Sequence, residues 1–457
     1  MKPLDLNFIC QTLNLPMPSE NAEVKRIVID SRDIQSGDVF VALAGERFDA
    51  HDFVADVLAK GALAAIVSRE DCVGFSGSLY VADTLTALQT LAHAWRMAVN
   101  PLVFGITGSS GKTSVKEMLA AVLRQQFGEE AVLATAGNFN NHIGLPLTLL
   151  NLTHTHRYAV IEMGMNHFGE LAVLTRIARP DAALVNNALR AHVGCGFDGV
   201  ADIAKAKSEI YQGLPENGTA WLPAESPYLD VFQVACAGKS TQTFGVAQGD
   251  VHAENIELEA LACRFDLLCG QERATVSLPA PGLHNVHNAC AAAALALRAG
   301  LTAAQIAAGL ATFANIKGRM QVKQGIKGAT VLDDTYNANP DSMKAALDVL
   351  AKLPPPQVFV MGDIGELGEG ESPAMHAEVG AYAHARGIGS AYFVGDFSAA
   401  AAEAFGGNGL WFADQDPLIQ VLIHELPEQA SVLVKGSRFM KMENVVAALL
   451  DDTGNRA

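Results

Sequence analysis

The chain has 457 residues, half of them hydrophobic and 18% charged, with a formal net charge of −17. That length exceeds what one hydrophobic core serves, and the acidic balance, without clustered Lys and Arg, excludes a general nucleic-acid binder. No apolar run approaches the ~20 residues of a membrane span, and seven cysteines without a CxxC pair predict neither a disulfide framework nor a zinc site.

Residues 1–98 are predicted to form a first α/β unit, with short strands at 26–29, 39–42, 64–67 and 79–81 and a helical stretch at 86–98 that closes it. The opening segment MKPLDLNFICQTLNL lacks a long h-region and a small-residue cleavage site, so a cytoplasmic protein is expected; a monomer is also expected.

Residues 99–316 are predicted as a second unit. The apolar run at 101–104 leads into GITGSSGKTSVKEML, Gly105 to Leu119, where a buried strand turns through glycines into an amphipathic helix. Gly108 and Gly111 let the backbone approach a polyphosphate, whose charge is favoured by exposed N–H groups and the helix N-terminus. Lys112 is placed to reach the β- and γ-phosphates and Thr113 to ligate Mg²⁺. The general P-loop pattern has a glycine where this chain has Ile106, its own Gly105 lying one place earlier.

Farther along, strands at 158–162, 182–186 and 220–222 alternate with helices, which predicts a largely parallel sheet. Residues 251–278 read as an antiparallel excursion, and PGLHNVHNACAAAALALRAG as a return to helix with alanines for close packing. Glu162 ends the run AVIE at the carboxyl end of a strand and is predicted to hold Mg²⁺ directly or through water, the alternative being a surface glutamate. His192 follows the strand ALVNN in a glycine-rich loop, where by itself it reads as a structural histidine. Lys205 and Lys207 lie in the helical stretch DIAKAKSEIY, and nothing in the pattern lifts either above a solvated face. AGNFNNHIGLP packs Asn138, Asn140 and Asn141 between glycines, amides suited to an extended polar substrate. Cys195, flanked by glycines, is the one thiol singled out for reactivity; the other six read as small core residues.

Residues 317–457 begin near Lys317-Gly318-Arg319 and repeat strand then helix, with strands at 330–333, 357–361, 391–394 and 431–434, which predicts a doubly wound domain. DDTYNANPDSM and MGDIGELGEG follow successive strands and VKGSRF follows the last. Asp333, Asp334, Asp363, Asn337, Asn339, Lys435 and Arg438 are therefore predicted along one cleft, able to hold both ends of a small zwitterion; the alternative is ordinary loop polarity.

TGSSGKTSVKEM, AGNFNNHIGLP, VIEMG, AHVGCGFDG, AKAKSEIY, GLHNVHNACAAAA, DDTYNANPDSM, MGDIGELG and LVKGSR, in that order, resemble the Mur ligases across essentially the whole chain. Pairing DDTYNANPDSM with MGDIGELG resembles the branch of that family that adds D-alanyl-D-alanine, and the DNPR-type signature of the tripeptide-forming branch is absent. The resemblance implies an α/β protein of three domains. These are an N-terminal α/β domain for the UDP-sugar (1–98), a central P-loop-type parallel sheet with flanking helices for ATP (99–316), and a C-terminal Rossmann-like doubly wound domain for D-alanyl-D-alanine (317–457).

By the same resemblance, Ser31 and Arg32 bind the uridine end of the nucleotide sugar, and the run Thr107, Gly108, Ser109, Ser110, Gly111, Lys112, Thr113 and Ser114 holds ATP. Glu162 and His192 help ligate magnesium, and Lys207, carbamylated, lends a negative group to a second metal. His284, Asn285 and Asn288 correspond to the segment around the adenine, Arg319 and Asp333 to hinge and ribose contacts, and Asn337 joins the ATP set. Gly194-Cys195-Gly196 stands where the family generally carries an acidic and bulkier sequence.

The implied reaction joins D-alanyl-D-alanine to UDP-N-acetylmuramoyl-tripeptide at the expense of ATP, with Mg²⁺, through an acyl phosphate, in peptidoglycan precursor synthesis. Lys112, Glu162, His192 and Lys207 are the expected catalytic set. Two rivals are carried forward: a sibling amide ligase (diaminopimelate-adding or folylpolyglutamate synthase-like), and a nucleotide-regulated binding protein with no ligation chemistry.

Overall fold

The computed structural model describes residues 4–45, 48–314 and 316–450. Among these the strands form three sheets, each built from one stretch of the chain. The first is parallel, in the order β1 (Arg26–Val28), β2 (Asp38–Val41), β3 (Ala64–Val67), β4 (Ser78–Tyr80). Its central strands β2 and β3 are buried at every position, as parallel strands covered on both faces must be.

The helix Thr84–Val99 starts where Asp83 accepts the N–H of Thr86 at 2.6 Å and stops at left-handed Asn100. Expected to close the first unit, it is equally a wall of the second. Trp95 Nε1 donates to the carbonyl of Leu152 (2.9 Å). Buried Arg96 donates to the carbonyls of Ala178 (2.9 Å) and Arg179 (2.8 Å) and pairs with Asp181 at 3.1 Å. Its cation thereby meets the C-terminal end of the helix Glu170–Ala178, where the carbonyl dipoles favour positive charge.

The second sheet gathers β5 (Leu102–Thr107), β6 (Val132–Ala134), β7 (Tyr158–Glu162), β8 (Ala182–Val185), β9 (Thr219–Pro223), β10 (Ser240–Phe244), β11 (Val251–Leu258), β12 (Cys263–Cys269) and β13 (Glu272–Leu278). The order is β13-β12-β11-β10-β9-β8-β5-β7-β6. The antiparallel stretch is thus an extension of the parallel sheet. Strands β6 and β10 went unread in the sequence: one has three residues, the other is mostly polar and exposed. The helix Leu283–Leu297 packs its alanines, Ala289 and Ala291 to Ala296 with Leu295 between them, without solvent contact against the helix Lys112–Phe127.

The third sheet holds β14 (Gln321–Gln324), β15 (Thr330–Asp334), β16 (Gln357–Gly362), β17 (Ser390–Val394), β18 (Gly409–Phe412) and β19 (Ser431–Lys435), in the order β14-β15-β19-β16-β17-β18. All neighbours are parallel except β14 with β15. The last strand enters between β15 and β16, and in the second sheet β5 lies between β8 and β7. Each gap is a switch point, where loops leaving the carboxyl ends part and leave room for a ligand. No helix among the described residues is long and apolar enough to cross a membrane.

Candidate active site between two sheet edges

The glycines of the phosphate loop are dictated from below. Gly111 has φ +79°, and a Cβ there would lie 2.4 Å from Asn288 Oδ1 and 2.5 Å from Asn186 Nδ2; one on Gly108 would lie 2.9 Å from Asn186 Cβ. Those amides hold the loop. Asn186 Nδ2 donates to Asn288 Oδ1 and to the carbonyl of Ser110, both at 2.9 Å. Asn187 Oδ1 accepts the N–H of Ser110 at 2.9 Å, and Ser109 Oγ donates to the carbonyl of Leu189 while accepting its N–H. Asn186 and Asn187 are not among the expected site residues, and their one signal in the sequence is a pair of amides at the end of ALVNN. Asn288 and Asn285 form the floor of this network, Asn288 donating to Asn285 Oδ1 at 3.2 Å, although both also border the cavity.

Lys112 folds back, its ammonium donating to the carbonyl of Gly108 at 2.7 Å, and burial lowers its pKa. Thr113 Oγ1 donates to Glu162 Oε2 at 2.8 Å and accepts from Arg319 Nη2, also at 2.8 Å. Glu162 is no surface residue: it is 3% exposed, and its other oxygen accepts from Asn140 Nδ2 at 2.8 Å. Its backbone N–H is fixed by Thr135 Oγ1, whose own carbonyl accepts from buried Lys116 at 2.6 Å. Glu162 forms no salt bridge among the described residues.

The structure separates the two lysines that the sequence left equal. Lys205 is exposed and pairs with Asp202 at 3.1 Å. Lys207 is 2% exposed, and its side chain makes no hydrogen bond or salt bridge among the described residues. Burial, reinforced by the charge of Lys112, drives its amine well below the ordinary lysine range. His192 sits at φ +68° with Nδ1 3.5 Å from Glu366 Oε2. Burial, with Lys207 and Lys112, pushes its imidazole down to about 4, so the ring is neutral at physiological pH.

Of these groups Lys112, Thr113, Glu162 and His192 line a cavity of about 620 Å³ walled by the carboxyl edges of the second and third sheets, and Lys207 lies outside its lining. Ser109 to Ser114, Asn138, Asn140, Asn141, Glu162, His192 and His284 line it from one side, and Arg319, Asn337 and Lys435 from the other. Asn141 spends its side-chain oxygen on the N–H groups of Ile143 and Gly144, a local turn. Arg319 lies over the ring of Tyr336 at 4.2 Å.

Several expected site residues stand elsewhere. Asp333 is buried away from the cavity, accepting from Lys323 Nζ (2.7 Å) and Thr335 Oγ1 (2.6 Å); its neighbour Asp334 faces the cleft and pairs with Lys435 at 2.5 Å. Asp363 accepts the N–H groups of Phe397 and Ser398 at the start of the helix Ser398–Phe405, a structural cap. Arg438 is exposed and pairs with Glu443. Thr107 is fully buried beneath the loop, its hydroxyl without a partner among the described residues. Ser31 and Arg32 lie in the first unit outside this cavity, Arg32 exposed and paired with Asp30. Asn339 borders the cavity, but its side chain caps the helix Pro340–Leu350. All seven cysteines are free thiols, and Cys195 is the exposed one.

The third unit is tied across the cavity. Arg190 pairs with Asp341 (2.6 Å) and Glu378 (2.7 Å), and Gly368 N–H donates to the carbonyl of Val193 at 2.9 Å. Beside that bond Gly194, at φ +79°, abuts Gly368. Gly194, beside Cys195, thus admits the third unit's loop at van der Waals distance, while Gly196 faces His167 of its own unit.

The Mur ligase family catalytic domain is recognised over residues 23–96, the Mur ligase middle domain over 106–296 and the Mur ligase glutamate ligase domain over 318–438. The UDP-N-acetylmuramoyl-tripeptide–D-alanyl-D-alanine ligase of Escherichia coli is 44% identical over 456 residues, covering 99% of both chains. The Haemophilus influenzae ligase of the same name is 42% identical over 439 residues, 94% of this chain and 95% of that one. A crystal structure of MurF from Acinetobacter baumannii superposes with a TM-score of 0.90 at 38% identity, covering 98% of each chain. The chain belongs to the Mur ligase family.

Proposed function

We propose that this protein is the ATP-dependent ligase that joins D-alanyl-D-alanine to UDP-N-acetylmuramoyl-tripeptide, releasing ADP and phosphate. The observation that carries this reading is the contact of Thr113 with buried Glu162 at the mouth of a phosphate loop, inside a cavity that a second sheet edge closes. In this reading residues 1–98 receive the UDP-sugar through Ser31 and Arg32, 99–316 the ATP, and 317–457 the dipeptide.

The residues present suit a divalent cation. Glu162 is a buried carboxylate held by neutral donors only, beside the Thr113 hydroxyl: two hard oxygen donors of the kind Mg²⁺ takes. Among the described residues no three His, Cys, Asp or Glu side chains converge as a complete metal site, so substrate oxygens must finish the coordination. Bound Mg²⁺ would offset the repulsion between a carboxylate and a polyphosphate. Neutral His192 is the nearby nitrogen donor. Burial disfavours the ammonium form of Lys207, whose free amine can add CO₂ and release a proton to leave a carbamate.

The terminal carboxylate of the tripeptide attacks the γ-phosphate in line, giving an acyl phosphate and ADP, with Lys112 turning from Gly108 to the departing phosphates. The amine of D-alanyl-D-alanine attacks the acyl carbon. The tetrahedral intermediate then expels phosphate, and the nitrogen loses its proton. The third unit, packed across the cavity, keeps water from the acyl phosphate.

A matrix of acceptors and amines, read by ADP release and product mass, tests the reading. ADP release that requires both the UDP-tripeptide and D-alanyl-D-alanine is expected. Preference for diaminopimelate or glutamate would transfer the protein to a sibling ligase, and release without either substrate would leave a nucleotide-binding protein.

A further inference from the structure

The cavity presents a difficulty for an amine substrate. Near the phosphate loop its cations, Lys112 and Arg319, repel an entering ammonium, so some carboxylate must receive it. Five carboxylates line the space: Glu162, Glu170, Asp334, Asp341 and Glu366. Four are engaged. Glu162 accepts from Thr113 and Asn140, Glu170 from the N–H of Asn166, Asp334 from Lys435, and Asp341 from Arg190. Among the described residues Glu366 alone has only the 3.5 Å approach to His192, with half its side chain exposed.

We infer that Glu366 is the acceptor that binds the ammonium group of the incoming amine substrate. The inference rests on the ligase reading above and gives that site its amine pocket.

The loop that carries Glu366 is pinned at three points. Ile364 N–H donates to His376 Nε2 (2.9 Å), Gly365 N–H to Ser437 Oγ (2.7 Å) and Gly368 N–H to the Val193 carbonyl (2.9 Å). Glu366 itself is held at φ +60°, a conformation that costs a non-glycine residue energy and is kept only where its surroundings enforce it. A carboxylate so placed is positioned before substrate arrives. Because it comes from the third unit while Lys112 and Lys207 come from the second, the amine is received only where the two units meet. The carboxylate's four lone-pair sites leave ample capacity for an ammonium's three donors.

Glu366→Gln keeps the shape and removes the charge. Steady-state turnover by the full-length enzyme should show KM for D-alanyl-D-alanine rising about 10- to 100-fold, the scale of a hydrogen bond to a charged group. Half-saturation by ATP and Mg²⁺ should stay within about twofold. N-propionyl-D-alanine, the same dipeptide with hydrogen in place of the ammonium, should inhibit both proteins equally, a result that damage to the fold would not give. Glu366→Asp should fall between the two. An unchanged KM for the dipeptide overturns the inference, as does a rise in the Mg²⁺ requirement or a parallel weakening of the propionyl inhibitor. If the wild-type protein fails to ligate the dipeptide, the ligase reading itself falls and takes the inference with it; ligation with an unaffected variant removes only the inference.

Discussion

Gly194 and Gly368 touch backbone to backbone across the second and third units: a Cβ on Gly194 would lie 2.7 Å from Gly368 Cα, and one on Gly368 would lie 3.0 Å from Gly194 Cα. Neither neighbour is a flexible side-chain tip, so relief requires the units to part. Gly194 is in the left-handed region, where alanine pays roughly 1 kcal/mol before any clash. We expect Gly194→Ala to lower turnover about 10- to 100-fold, the cost of a misplacement on the order of 1 Å, with a larger radius of gyration in solution scattering. Wild-type turnover would show that the contact does not set the geometry of the cavity.

Glu162→Gln should raise the Mg²⁺ concentration for half-maximal activity about 10-fold or more, since the amide keeps the bonds from Thr113 and Asn140 in part but gives up the charge. The same change should leave the thermal midpoint of the ligand-free protein unchanged or higher, because a buried carboxylate without a cation is costly. A superimposable Mg²⁺ titration would remove Glu162 from the metal site.

Lys207→Ala should be nearly inactive and partly restored by formate or acetate, small carboxylates able to fill the space of a carbamate. Lys205→Ala, whose side chain is exposed beside Asp202, should turn over normally and ignore both anions. Ordinary activity in Lys207→Ala would sink the carbamate role.

Burial holds the His284 imidazole down to about 4, against an ordinary value of 6.5. The unfolded chain therefore takes up a proton below pH 6.5 that the folded chain refuses until about pH 4, and stability falls as pH drops through that window. Urea midpoints at pH 7.5, 6 and 5 should decline for the wild-type protein, and less steeply for His284→Gln. Equal declines would mean that His284 titrates normally.

Much of the fold was written in the sequence because buried parallel strands are apolar and β-branched, and the phosphate loop is a contiguous string. The site was legible only where one segment builds it. Alternation along a strand puts Asp333 and Asp334 on opposite faces, but which one meets the cleft is decided by Lys323 on β14, too polar to read as a strand, and by Lys435 on β19, a hundred residues away. Asp363 comes directly after the last residue of a strand, much as Glu162 ends one; the helix it caps begins more than thirty residues later. The difference between Lys205 and Lys207 is a matter of which helix face is covered, and Glu366 was one acid among several in MGDIGELGEG until a loop from another unit came to rest against it.

The helix Thr84–Val99 bears on how relatives could exchange parts. Its Trp95 and Arg96 are plugged into backbone carbonyls of the second unit, so a crossover near residue 98 would split a single packed core between two parents. The third unit meets its neighbour instead mainly through polar contacts: ion pairs at Arg190, the hydrogen bonds from Arg319 to Thr113 and from Gly368 to Val193, and the glycine contact. Chimeras joined near residue 317 should therefore fold with swapped cassettes, whereas those joined at the end of the first sheet should be insoluble unless both sides of that helix come from one parent.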